Sequence, residues 1–238
     1  MVERFARTRL LVGDVGLERL KNATAVLFGL GGVGSYAAEA IARAGVGRIV
    51  LIDSDCVELS NLNRQLVALE STLGMPKVAV ARARILDINP DVQVETHETF
   101  VTPENAPGFV DDPRAFYIDA IDNLPAKLAL LRLFHETGVD AVSCMGAASK
   151  LAVSGIRVAD ISVTAHCRLA RRIRQKLRKE GITQGIRCVY SEAPPVPGTN
   201  GEESLSKARG TISYVPGLVG LTAAGVIIND ILAGNTKE

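Results

Sequence analysis

Residues 24–53 read TAVLFGLGGVGSYAAEAIARAGVGRIVLID, and the fold turns on this stretch. Residues 24–28 are a short β-branched and apolar run closed by Gly29, and residues 48–52 (RIVLI) are a second run ending at Asp53. Between them, residues 33–44 have the composition of a helix stopped by Gly45. Strand, crossover helix and strand in that order make a parallel pair. The first turn is Gly29-Leu30-Gly31-Gly32-Val33-Gly34, a G-x-G-x-x-G placed between strand and helix. Glycines suit such a turn because phosphate oxygens must approach the backbone closely, and the helix start offers free N–H groups with partial positive charge. Asp53 stands nineteen residues past Gly34, where a carboxylate can accept from both ribose hydroxyls of a nucleotide.

Outward from this unit the alternation continues. Residues 77–86 read as a helix ending before Asn89-Pro90, 92–96 as a strand, 115–121 as a strand, 124–137 as a helix and 139–143 as a strand. After Gly146 the pattern changes: 151–158 reads as a strand, 169–179 as a helix, 184–210 as a loop, and 215–232 as a final helix with Pro216 in its first turn. The expectation is an α/β, Rossmann-like, doubly wound and mainly parallel sheet with a decorated C-terminal half. One domain spans 1–238, with a nucleotide-binding core at about 20–150 and a substrate-facing part at about 151–238.

Composition narrows the class. Across 238 residues, 47% are hydrophobic and 22% charged, enough apolar material for a large core. The net charge of +1 argues against binding nucleic acid through the whole surface, so polyanion affinity would need a local patch. Cys56, Cys144, Cys167 and Cys188 form no C-x-x-C pair, so no structural zinc is expected. The start MVERFARTRL lacks the apolar run of a signal peptide, and the apolar 215–232 stretch carries Asp230, favouring a buried helix over a membrane span. A cytoplasmic protein with reduced thiols and no membrane association follows.

The glycine turn and Asp53 alone do not distinguish a dinucleotide from ATP, and by themselves they favour an NAD enzyme. Beyond Asp53, however, come Asp55, Asn61, Asn63, Arg64 and Gln65, and then Lys77. A hydride-transfer enzyme has no need for Asn, Arg, Gln and Lys beside the phosphates. An adenylyltransferase does, because attack on the α-phosphate builds negative charge on phosphoryl oxygens and departing pyrophosphate, which fixed cations stabilise. Asp122 and Asn123 follow the 115–121 run, at the strand edge where ligands bind in open sheets, and Asp122 offers magnesium a carboxylate. Taken singly, Arg64 and Lys77 would be solvated cations and Asp122-Asn123 a capping turn. Their joint appearance downstream of a nucleotide turn favours the chemical reading.

On Arg4-Phe5-Ala6-Arg7 and the stretches 29–47, 51–65, 75–90 and Asp122-Asn123, the chain resembles the adenylyltransferases related to ubiquitin-activating enzymes, which include activators of sulfur-carrier proteins. The resemblance implies ATP and Mg2+ as cofactors. It implies Asp53 on the ribose, Asn61, Arg64, Gln65 and Lys77 around the phosphates, and Asp122 as the metal carboxylate. It also implies Arg7 reaching into a partner's ATP site, hence a homodimer.

The second half resembles the tRNA threonylcarbamoyladenosine dehydratase branch of that family. The matching features are Gly146-Ala147-Ala148, 156–161 (IRVADI), the basic run 168–182 and 188–192 (CVYSE). What this implies is adenylation of a threonylcarbamoyl carboxylate on tRNA, then ring closure with loss of AMP. The alternative is a zinc-free activator of a ubiquitin-like sulfur carrier. The resemblance also admits a sulfur-relay partner and leaves open a monovalent cation near Gly146. The basic run supports a tRNA partner independently: Arg168, Arg171, Arg172, Arg174, Lys176, Arg178 and Lys179 precede the first acid, while Leu169, Ile173 and Leu177 recur every four residues on a packing face. Cys188 is read as structural, and His97, His135 and His166 carry no catalytic assignment.

Overall fold

A computed structural model describes residues 3–196 and 210–234. Seven strands form one sheet in the order β3-β2-β1-β4-β5-β7-β6. They are β1 (Thr24–Phe28), β2 (Arg48–Ile52), β3 (Gln93–His97), β4 (Phe116–Asp119), β5 (Asp140–Cys144), β6 (Ile156–Asp160) and β7 (Arg187–Ser191). Every pairing is parallel except β6 against β7. The central strands TAVLF and FYID are buried almost throughout, as strands covered on both faces must be, whereas the edge strand QVETH is half exposed.

Among the described residues there are six α-helices: α1 (Ala6–Asn22), which lies against α6, α2 (Gly34–Ala44), α3 (Lys77–Ile88), α4 (Leu124–Thr137), α5 (Arg168–Arg178) and α6 (Tyr214–Ala233). One core joins Leu27, Ile41, Ile85, Val219 and Ile227 beneath α2, α3 and α6, and the other joins Phe28, Tyr117, Leu130, Ile173 and Leu177 beneath α4 and α5. Helices on both faces make the fold doubly wound.

α6 is long and apolar enough to cross a membrane, but half of it is buried here, and it lies against α2. Arg187 forms a paired ion contact with Asp230 on α6, at 3.1 and 2.5 Å, fixing that helix to β7. The charge that argued against a membrane span from sequence is thus used to anchor the helix.

Two expectations are corrected. The 184–210 stretch is not wholly loop, because it contains β7; RCVYS is buried on both faces and so shows no alternation. Residues 151–154 are exposed and irregular, and the strand expected from 151 begins only at Ile156, after Gly155 turns the chain at φ +83°. The rest of the predicted loop, 197–209, lies outside the described residues. α1 was not anticipated. Its helical signal is broken by Gly13, at φ 71° and ψ −179°, and it buries only Gly16 and Leu20 fully.

Candidate active site

The strand order reverses between β1 and β4, and in open α/β sheets ligands bind beyond the strand C-termini at such a point. A cavity of about 800 Å³ lies there. Gly29, Gly31 and Gly32 after β1, Asp53 and Asp55 after β2, and Asp122 and Asn123 after β4 all line it. So do Asn61, Arg64, Gln65 and Lys77.

Local structure explains how residues distant in sequence converge. Cys56 bridges Pro76, Val57 N–H donates to the Met75 carbonyl at 2.9 Å, and Lys77 N–H donates to the Asp55 carbonyl at 2.9 Å. This pairing brings the start of α3 against the loop after β2. Lys77 is therefore almost fully buried, with Nζ 2.8 Å from Asp55 Oδ2, while Asp55 stays largely exposed. A one-turn 3-10 helix (Leu59–Asn61) carries Asn61, whose Oδ1 accepts from Glu58 N–H at 3.2 Å. Arg64 donates from one Nη to the Ser60 carbonyl and Asn63 Oδ1, each at 2.9 Å. Gln65 is buried with its carboxamide oxygen unpaired, and its Nε2 is 3.9 Å from where a Cβ on Gly31 would sit.

Asp53 accepts from Leu30 N–H at 2.6 Å and from Asp55 N–H at 2.8 Å, so its carboxylate is tied to the glycine turn. Burial raises its pKa above the ordinary carboxylate value, outweighing these two hydrogen bonds and the attraction of Lys77. Asn123 caps α4, its Oδ1 accepting from Ala126 N–H at 3.1 Å. The capping turn and the cavity wall are therefore the same residue. Asp122, beside it, is exposed and has no ion pair among the described residues.

Several expected residues are placed differently. Gly34 does not line the cavity: a Cβ there would fall 1.8 Å from the Gly29 carbonyl oxygen, so this glycine serves the close packing of α2 on the turn. Asn63 is not among the residues lining the cavity; its amide donates at 2.9 Å to the carbonyl of Thr211, which is one of them. Arg7 is exposed on α1 and is not part of its own chain's cavity. Arg174 is not a free cation of α5, because it donates to the carbonyls of Ile161 and Thr164 at 3.3 and 2.9 Å and to the Thr164 hydroxyl. Arg168 and Arg172, expected to face RNA, line this same cavity. Arg171, Lys176, Arg178 and Lys179 are exposed away from it.

One cluster escaped the sequence reading. Lys127 and Asp119 are wholly buried and 2.8 Å apart, with Ser143 Oγ donating to Asp119 at 2.7 Å and Lys127 Nζ donating to the Ile121 carbonyl at 3.0 Å. The cluster pins the 119–123 turn that carries Asp122. Its signal was a lysine between the buried Ala126 and Leu128 of α4 and an aspartate ending an apolar strand.

The ThiF family profile matches residues 5–237. The chain belongs to the ThiF family. It is 41% identical to a tRNA threonylcarbamoyladenosine dehydratase of Bacillus subtilis (strain 168), covering 98% of this chain and 96% of the relative. The fold superposes on the Escherichia coli tRNA N6-threonylcarbamoyladenosine dehydratase solved with ATP, at TM-score 0.90 and 32% identity, covering 98% of this chain and 95% of that one. The same enzyme solved with AMP gives a TM-score of 0.91, covering 99% and 96%. A sulfur carrier protein adenylyltransferase of Thermus thermophilus is 39% identical but matches only 53% of this chain and 47% of its own length.

Proposed function

We propose that the whole chain works as one ATP-dependent unit that adenylates the carboxylate of a threonylcarbamoyl group on tRNA adenosine beside the anticodon, and then closes that group into a ring. The observation that carries this reading is the convergence of Asp53, Arg64, Lys77 and Asp122 on one cavity at the sheet's switch point. Asp53 holds the ribose. The glycine turn and the start of α2 receive the phosphates. Lys77, held by the exposed Asp55, and the uncommitted N–H groups of Arg64 meet charge as it develops on the phosphoryl oxygens. Gln65 brings a buried amide whose unpaired oxygen can accept from a hydroxyl or amino group of a bound nucleotide, while its N–H groups can donate to phosphate.

In the first step a carboxylate oxygen attacks the α-phosphorus, forming an O–P bond as the bond to pyrophosphate breaks. In the second, the carbamoyl oxygen attacks the activated carbonyl carbon, a carbamoyl N–H proton is lost, and AMP leaves with the oxygen it joined. Magnesium fits the donor set: Asp122 is an exposed carboxylate on the cavity wall with no ion pair among the described residues, whereas Asp55 is engaged by Lys77, and a phosphate-bound Mg2+ takes one or two such carboxylates. When bound, the ion neutralises phosphate charge.

The exposed cations Arg171, Lys176, Arg178 and Lys179 of α5, with Arg172 reaching the cavity, form a track for tRNA phosphates that ends at the site. Because Arg7 is absent from its own chain's cavity, a homodimer would use it to complete the partner's. Leu10 and Leu11 beside it are 89% and 87% exposed, apolar surface that a second subunit would cover. The cytoplasm, where tRNA and ATP meet, is the proposed location. No described feature favours a sulfur-relay partner.

ATP–pyrophosphate exchange tests the reading. Stimulation by tRNA carrying threonylcarbamoyladenosine is expected. Stimulation instead by a carrier protein ending in Gly-Gly would replace this function with sulfur-carrier activation.

A further inference from the structure

A second chamber of about 430 Å³ adjoins the ATP cavity, and the two share Gly146, Ala148, Arg168 and Leu169 as common wall. The rest of its wall includes Lys150, His166 and Cys167, and none of its lining residues is acidic. Lys150 is only 3% exposed. Its ammonium donates to the His166 carbonyl at 2.8 Å and to the Ala193 carbonyl. Carbonyls satisfy N–H groups but do not cancel charge, and an ammonium has a third donor.

The contrast with the other buried lysines is direct. Lys77 pairs with Asp55 and Lys127 with Asp119, whereas Lys150 has no carboxylate partner among the described residues. A buried cation without a counter-anion is costly, and burial accordingly holds its pKa below the ordinary lysine value. At the shared wall stands Arg168, exposed and without an ion pair among the described residues. Ser149 and His166, which flank this chamber, are the non-glycine residues at positive φ among the described residues, 58° and 50°. Such strain persists where surrounding structure holds a site in shape.

We propose that this chamber is the acceptor subsite, taking the carboxylate-bearing acyl substituent of the RNA base, with Lys150 inside and Arg168 at the junction. The chamber's volume suits a small amino-acid substituent. Its opening onto the ATP cavity lets one carboxylate oxygen reach the α-phosphorus while the cations hold the group. Arg168 thus reads the acyl group rather than the RNA backbone. This inference rests on the adenylation reading above.

The test measures initial rates of tRNA-dependent ATP–pyrophosphate exchange, with tRNA lacking the acyl group as a competitor. Arg168→Gln, at an exposed position, should raise KM for threonylcarbamoyl-tRNA about tenfold or more, as loss of a charged hydrogen bond to the substrate would. The inhibition constant of the unacylated tRNA should stay unchanged. Lys150→Met should act in the same direction, with Lys150→Arg recovering most of the loss. An unchanged KM for the modified tRNA in Arg168→Gln overturns the proposal, as does a parallel rise in the unacylated competitor's inhibition constant, which would make Arg168 a backbone contact. Failure of the adenylation reading looks different: the wild-type protein itself would show no exchange stimulated by the modified tRNA.

Discussion

Asp53 shows at the scale of one residue how site and stability can pull apart. Its raised pKa means the folded chain binds a proton more readily than the unfolded chain, between the ordinary carboxylate value and the raised one. Through that window the contribution of Asp53 to stability falls as pH rises, and is largest when the group is protonated. Nucleotide affinity should move the other way, because protonation removes an acceptor for the ribose. Titration calorimetry with ATP and chemical denaturation across the same pH range should therefore show opposite slopes, both absent in Asp53→Asn. Lys77→Ala and Arg64→Ala should each lower exchange turnover by about a hundredfold or more, since each removes a fixed donor from developing charge. The thiols divide as clearly. Burial raises Cys144 to about 12 and pushes Cys188 higher still, while Cys56 is exposed and Cys167 half-buried. A thiol reagent added to the native protein should modify Cys56 and Cys167 and reach the other pair only on unfolding.

Among the elements, α5 divides its cations between structure and binding. Arg174 satisfies carbonyls of the 161–164 turn, so Arg174→Ala should destabilise the fold by about 1–3 kcal/mol in denaturation curves, the cost of stranded acceptors. Arg171→Ala and Arg178→Ala should leave stability alone and each reduce the salt slope of tRNA binding by about one. α6 depends on close approach to α2, where a Cβ at Gly220 would lie 2.2 Å from the Val33 carbonyl oxygen. Gly220→Ala must push the helices apart and should cost about 1–3 kcal/mol, read as a lower denaturation midpoint. The displacement would be felt at the phosphate turn, because Val33 belongs to it.

For the whole molecule, the proposed second subunit makes a separate prediction. Leu11→Glu should shift sedimentation toward monomer and lose activity together with Arg7→Ala. Mixing Arg7→Ala with Lys77→Ala subunits should recover part of it, because one mixed site then carries both wild-type residues. A fully active monomer would remove the shared-site idea. The elements that carry the nucleotide cradle were legible because each is local: a strand, a glycine turn and a helix start lie within residues 24–53. The roles of Gly34, Asn63 and Arg174 were not, since each is fixed by a contact the sequence does not announce.

Local order determined the parallel core, the glycine turn and the cations gathered after Asp53, because strand and helix periods and turn chemistry are written in neighbouring residues. Only the tertiary structure decided that β7 exists, that Lys127 and Lys150 are buried, and that Arg168 faces two cavities at once. The physical reason is that burial and charge pairing depend on which distant segments pack together. A lysine next to an aspartate across a core and a lysine that among the described residues meets only carbonyls beside a chamber look the same in one dimension.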